Sequence, residues 1–172
     1  MILNLGCGVN KMPNAINLDI EKSVKPDVLA DFTKPLPFPD DSVEKVYFFH
    51  VIEHLPKRLH PNILLEIWRV MTDSGVLYVA YPEFVKCAQN FIDNKKGMRE
   101  FWAATIYGRQ LYPADTHISL MYTPHFEHLL VQLGFKDVKS MPEVKEDYNT
   151  IVRAVKGKRP LSQEEIWKRD LF

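Results

Sequence analysis

Three short groups of residues are suited to holding a ligand: Gly6-Cys7-Gly8 after one apolar run, Asp19-Ile20 at the end of a second, and Asp31-Phe32 at the end of a third. Glycines lack a Cβ and adopt positive φ, so a turn built on Gly6 and Gly8 lets the backbone come close to a bound molecule. In an open α/β sheet such a turn stands at the carboxyl end of a strand, where the binding crevice lies. An acid ending the next strand can accept hydrogen bonds from two ribose hydroxyls. The plainer role for Asp19 is that of a strand-end turn acid. Asp31 can receive an exocyclic amine while Phe32, or an apolar neighbour, covers a purine face. The three strand ends thus offer, in chain order, groups for an amino-acid tail, a ribose and an adenine.

Groups able to move protons follow further along. His50 closes the run Tyr47-Phe48-Phe49 and would form the wall of an active site, or cap a strand. Asp115 and His117 lie in a Gly-, Pro- and Tyr-containing loop, Tyr107 to His117, long enough to fold over the binding edge of a sheet. His117 is the candidate general base. Asp115 would orient it or bind substrate, or the two would pair only with each other. His50-Val51-Ile52-Glu53-His54 also matches the HxxEH zinc peptidase pattern, which needs both histidines on one helix. The residues before His50 read as a buried strand, so the two histidines straddle a strand-to-helix turn and no metal is expected. A nicotinamide reading fails because Lys11 stands where the third glycine of that fingerprint belongs.

The elements that must position these groups alternate as short apolar runs and longer segments of helical spacing, the pattern of a parallel sheet with crossover helices. Strands are expected at Met1 to Leu5, Ala15 to Leu18, Val28 to Ala30, Val43 to Phe49, Gly75 to Tyr81, Phe135 to Met141 and Tyr148 to Val155. Helices are expected at His60 to Met71, Glu83 to Ile92, Met98 to Gly108, Thr123 to Leu133 and Ser162 to Asp170. Ile63, Leu64, Ile67, Trp68 and Met71 form a stripe that would pack on the sheet. Thr123-Pro124 starts the fourth helix and Gly134 stops it. Thr33 to Asp41, rich in proline and acid, is a loop at the sheet edge.

The 172 residues suit one α/β domain, with 157–172 as a C-terminal tail or helix, and the 46% hydrophobic content is ample for one core. Lys plus Arg and Asp plus Glu balance at 22 each, so no long-range basic field draws in nucleic acid. Lys156, Lys158, Arg159, Lys168 and Arg169 read as a mildly basic, solvated end. Two cysteines, Cys7 and Cys87, fit neither a disulfide framework nor a paired zinc site. Without a basic, apolar leader or a membrane-length apolar run, the expectation is a cytoplasmic protein.

Taken together, Leu3-Asn4-Leu5-Gly6-Cys7-Gly8, Ile16-Asn17-Leu18-Asp19-Ile20, Ala30-Asp31-Phe32 with Pro35-Leu36-Pro37-Phe38, His50-Val51-Ile52-Glu53-His54-Leu55, and Ile106-Tyr107-Gly108 with Asp115 and His117 carry a resemblance over nearly the whole chain. The sequence resembles the class I S-adenosylmethionine-dependent methyltransferases, in particular the short methyltransferase-domain (type 11-like) proteins. The resemblance implies a doubly wound, Rossmann-like seven-stranded sheet ordered 3-2-1-4-5-7-6, and S-adenosylmethionine as cofactor. It implies that Gly6, Cys7 and Gly8 approach the methionine moiety, Asp19 and Ile20 the ribose side, Asp31 and Phe32 the adenine, and His50 the transferred methyl. It further implies methyl transfer to a small-molecule or sugar acceptor. A catalytically silent donor-binding partner is the alternative. Two features depart from the family pattern. Ten residues separate Gly8 from Asp19, against ~20 in a full turn-helix-strand unit, so the first crossover helix is short or missing. Thr72-Asp73-Ser74-Gly75 replaces a Pro-Gly-Gly-like turn.

Overall fold

In the computed structural model, which describes residues 1–111, 113–142, 148–158 and 165, seven strands form one sheet. They are β1 (Ile2–Leu5), β2 (Ile16–Asp19), β3 (Val28–Leu29), β4 (Val43–Phe49), β5 (Met71–Pro82), β6 (Phe135–Pro142) and β7 (Asn149–Lys156). The order is β3-β2-β1-β4-β5-β7-β6. β1 through β5 run parallel, while β7 enters antiparallel between β5 and β6. This is the expected Rossmann-like order. Residues two apart in a strand share a face, and the cross-strand rows Leu3–Val46–Leu77–Ala154 and Leu5–Phe48–Val79–Val152 are fully buried on one face of the sheet.

Among the described residues four α-helices accompany the sheet: α1 (His60–Val70), α2 (Phe84–Ile92), α3 (Arg99–Tyr107) and α4 (Thr123–Gln132). The stripe of α1 packs as its spacing predicts, with Ile63, Leu64, Ile67 and Val70 buried in the core. The pattern that places Met71 in that helix is overruled by tertiary pairing. Met71 opens β5 opposite Val43, and α1 stops at Val70. Thr72-Asp73-Ser74-Gly75 is therefore a bulge inside β5 rather than a turn before it: Val43 pairs with Met71 and Lys45 next with Val76, and Ser74 takes φ 64°.

Every α-helix lies after β4. The β1-to-β2 link has no α-helix, as the short spacing predicts, and the β2-to-β3 link holds only the 3-10 turn Lys22–Val24. The Thr33 to Asp41 loop is likewise helix-free, and is strapped to α1 instead. Glu66 accepts from the Leu36 backbone at 2.7 Å, while Arg69 donates to the carbonyls of Leu36 and Phe38.

Lys156 corrects the reading of a solvated end. It is 4% exposed, its ammonium donates to Asp41 and to the Met71 carbonyl, and it sits 4.1 Å from the Trp68 ring centre. A buried ammonium needs such partners, and here they tie β7 to the start of β5. Apart from Glu165, the helix expected at Ser162 to Asp170 lies outside the described residues. Among the described residues no helix is long and apolar enough to cross a membrane.

Candidate active site

The glycine turn closes against β2. The N–H groups of Gly6 and Cys7 donate to the Leu18 carbonyl at 2.9 and 3.0 Å, and Gly8 N–H donates to Asp19 Oδ2 at 2.8 Å. Gly6 has φ +68°, and a Cβ there would lie 2.2 Å from Val51 Cγ2, so no larger residue fits without displacement. Gly8, at φ +49°, would meet nothing within 4 Å. One glycine is required by close packing beneath the turn, and the other leaves open room for a ligand above it. Cys7 is buried, and burial together with the nearby Asp19 charge pushes its thiol pKa up. It serves the turn through its backbone, not as a nucleophile.

Asp19 fills the plainer of the two roles left open for it and keeps acceptor capacity for the other. Its Oδ2 accepts from Gly8 and its Oδ1 from the Glu21 N–H at 2.9 Å, which makes it a turn acid. A carboxylate has about four acceptor positions, so hydroxyls can still be received. Ile20 beside it is 63% exposed, an apolar surface at the strand end. Asp31 accepts from the Thr33 N–H and hydroxyl at Oδ1, and these bonds hold its carboxyl below the usual carboxylate range. Phe32 differs from expectation in where its ring goes. The ring is buried, edge-on to Phe48 at 6.2 Å, so it belongs to the core.

What replaces the first crossover helix is a polar network that sequence reasoning missed. Asn4 and Asn17, adjacent on β1 and β2, are both 4% exposed, and Asn4 Nδ2 donates to Asn17 Oδ1 at 2.9 Å and to the Asn10 carbonyl at 3.1 Å. Asn17 accepts from Met12 N–H and donates to the carbonyls of Met12 and Ala15 and to Asp27. The loop is thus fixed by side chains where a helix would fix it by backbone. Asp27 accepts from both the backbone and side-chain N–H of Asn17, which holds its carboxyl below the ordinary range. A depressed pKa means that this contribution to stability is complete above the unfolded value of ~3.9 and disappears as pH falls through the folded one. Acidification from about pH 5 to about pH 3 should move the Asn17 and Met12 amide resonances before those of β5 and β7. Simultaneous movement of all of them would contradict a local effect.

β4 ends at His50, in the left-handed region at φ 55°, with its N–H bonded to the Ala80 carbonyl of β5 at 2.8 Å. The side chain is 44% exposed, and Nδ1 lies 3.5 Å from Glu53 Oε1. Val51 packs under Gly6, and Ile52–His54 form a 3-10 turn. His50 and His54 therefore do not share a helix face, and the peptidase arrangement is absent. Residues 116–119 are zipped onto this turn: Glu53 O accepts from Ile118 and Ser119, Ser119 Oγ donates to Leu55 O, and His54 Nδ1 bonds Thr116 O at 3.2 Å.

His117 is thereby brought to the end of β4, its ring edge-on to His54 with centres 4.8 Å apart. Burial keeps its pKa below the usual histidine value, so it is neutral near pH 7 and able to accept a proton. Asp115 is buried, but its carboxylate bonds within its own loop, accepting from Leu111 N–H at 3.3 Å with Arg109 Nε at 3.7 Å. It shapes the loop that presents His117. Glu53, which the sequence signalled only as part of HxxEH, stands between the histidines.

Residues 3–79, the segment carrying β1 to β4, the glycine turn, Asp19, Asp31 and His50, match the family model described as a methyltransferase domain. Over that segment, 77 of the chain's 172 residues, the protein carries an S-adenosylmethionine-dependent methyltransferase domain. No curated protein matches it. Among solved structures, the fold of this methyltransferase is similar to that of an Archaeoglobus fulgidus SAM-dependent methyltransferase, at 17% identity and TM-score 0.67, covering 90% of this chain and 85% of that one. A Methanosarcina mazei SAM-dependent methyltransferase gives 16% identity and TM-score 0.63, with 94% and 92% covered. Human N-acetylserotonin methyltransferase, solved in complex with SAM, gives 16% and 0.62, with 91% of this chain but 47% of that one covered. S-adenosylmethionine is accordingly the cofactor of this methyltransferase. Its site suits that molecule: open space over Gly8, a strand-end carboxylate at Asp19 and exposed apolar surface at Ile20.

Proposed function

We propose that this methyltransferase acts on a small-molecule or sugar acceptor, held at the carboxyl end of β4 between His50 and His117. The observation that carries this reading is the delivery of His117, from a loop far along the chain, to the Glu53–His54 turn that follows His50. When bound, S-adenosylmethionine supplies a sulfonium methyl that is displaced in line. The protein's task is then mainly alignment and removal of a proton. Gly6, Cys7 and Gly8 approach the methionine portion through the backbone, and Asp19 receives the ribose hydroxyls with Ile20 against the nucleoside. Asp31 and the Phe32 backbone meet the adenine. His50 forms the wall beside the methyl, His117 takes the acceptor proton and Asp115 holds the loop in place.

A compact acceptor agrees with the balanced charge of the chain and with apolar surface near this loop, where Tyr107 is 61% and Tyr122 51% exposed. Trp102 does not contribute to such a surface, being buried with its indole N–H bonded to the Lys95 carbonyl.

Isothermal titration with S-adenosylmethionine and S-adenosylhomocysteine tests the donor half. Asp19→Ala should weaken both by about 10- to 100-fold, the loss of one or two charge-assisted hydrogen bonds; unchanged affinity would remove the ribose assignment. Turnover against a panel of hydroxyl- and amine-bearing small molecules tests the acceptor half. Donor binding with silence toward the whole panel, and turnover only on a macromolecule, would overturn it.

A further inference from the structure

The cluster at the end of β4 contains more than proton acceptors. One ligand atom each from Glu53, His54 and His117 lies within 4.8 Å of the others. Glu53 is 2% exposed, yet neither carboxylate oxygen has a hydrogen-bond partner. A buried carboxylate without such partners is expensive, and His50 Nδ1 at 3.5 Å, on a half-exposed ring, is a weak contact. His54 is set up differently from a free imidazole. The contact of His54 Nδ1 with a carbonyl, Thr116 O, requires that nitrogen to carry the proton, which leaves Nε2 as a lone-pair donor. Backbone carbonyls that fix one ring nitrogen so that the other can ligate are the usual outer partners of metal-binding histidines. A cavity of about 10 Å³ adjoins the cluster, lined in part by Glu53, Thr105, His117 and Ser119, about the space of one small occupant.

We propose that Glu53, His54 and His117 bind one divalent transition-metal cation at the carboxyl end of β4. Two imidazoles and one carboxylate suit zinc, manganese, iron(II) or cobalt(II) better than magnesium or calcium, which prefer all-oxygen shells. Donors around one such ion stand about 3–4 Å apart, given bonds of ~2.0–2.2 Å, so small side-chain rotations close the set. Three protein ligands leave coordination positions open to an acceptor oxygen, whose hydroxyl pKa the cation would lower. This deepens the proposed reading of the acceptor site, because His117 then holds the ion and the ion's charge activates the acceptor instead: the hydroxyl loses its proton to solvent beside the half-exposed His50, and its oxygen takes the methyl as the bond from methyl to sulfur breaks. The chemical class of acceptor favoured is one with an oxygen ligand at or beside the atom methylated.

The test uses the full chain after chelator treatment, titrated with Zn²⁺ by calorimetry and with Co²⁺ by visible absorption. Binding at one ion per chain, weakened at least ~10-fold in both His117→Ala and Glu53→Gln, is the expected result. Should Glu53→Gln not fold, His54→Ala takes its place. No binding at about 100 μM metal, well beyond the affinity of a built site, would overturn the proposal, as would equal affinity in wild type and His117→Ala. S-adenosylmethionine titration of the same metal-free samples reads the donor site separately. Its failure would count against the donor assignment, while loss of metal binding alone counts only against the cation.

Discussion

Gly6→Ala should abolish measurable donor binding and lower the stability of the methyltransferase by about 2–4 kcal/mol, the sum of left-handed backbone strain and a packing clash. Alanine at φ +68° is strained whatever surrounds it, and its Cβ would lie 2.2 Å from Val51 Cγ2. Val51 cannot retreat freely, since it joins His50 to the turn carrying Glu53 and His54. The clash therefore disturbs both the glycine turn and the turn that carries Glu53 and His54. Calorimetric titration and thermal unfolding read the two effects, and Gly6→Ala/Val51→Ala separates their causes. Removing the valine methyls should return part of the stability, leaving the backbone strain. A double variant no better than the single would show that steric contact with Val51 is not the origin.

Asn17→Leu should be comparably severe, costing about 3–5 kcal/mol as several buried or half-buried polar groups lose their partners together. Asn4 Nδ2, Met12 N–H and the carbonyls of Met12 and Ala15 all depend on this side chain. The loop over Gly8 should loosen, so that amide exchange accelerates from Val9 to Ala15 more than in β5 or β7. Asn4→Leu/Asn17→Leu is informative beside it, because removing both members of a buried pair is milder than orphaning one. If the double variant were as unstable as the sum of the two singles, the Asn4–Asn17 bond would not be the organising contact.

Much of the methyltransferase fold is legible in local pattern. The apolar runs of β1, β2 and β4 end where glycine, aspartate or histidine interrupts them, and the spacing of Ile63, Leu64 and Ile67 gives the buried face of α1 directly. Even the missing helix follows from counting residues between Gly8 and Asp19. What local pattern does not carry is pairing over distance. Met71 has the period of the helix before it, but its pairing with Val43 makes it strand. Lys156 looks like part of a basic end until Asp41, Met71 and Trp68, all remote in sequence, are seen around it.

The site shows the same division. Gly6, Gly8, Asp19 and Asp31 announce themselves because strand ends face one crevice. His117 was identifiable as a candidate base, but its neighbours Glu53 and His54 were not, because the zipping of residues 116–119 onto that turn is a tertiary event. Asn4 and Asn17 read as polar interruptions in otherwise apolar strands. A buried amide at the same position in two adjacent strands was the available signal, visible only once their register was known.

The insertion of β7 between β5 and β6 bears on how the chain is made. Synthesis delivers β6 before the strand that is its hydrogen-bonded neighbour, and β5, twelve residues long, waits meanwhile with one edge unpaired. Exposed strand edges are where nascent chains associate wrongly. The sheet cannot close until residues 149–156 emerge, so a chain stalled or cut within that stretch carries four unsatisfied edges, one on β3, one on β5 and two on β6, where the finished sheet leaves one on β3 and one on β6.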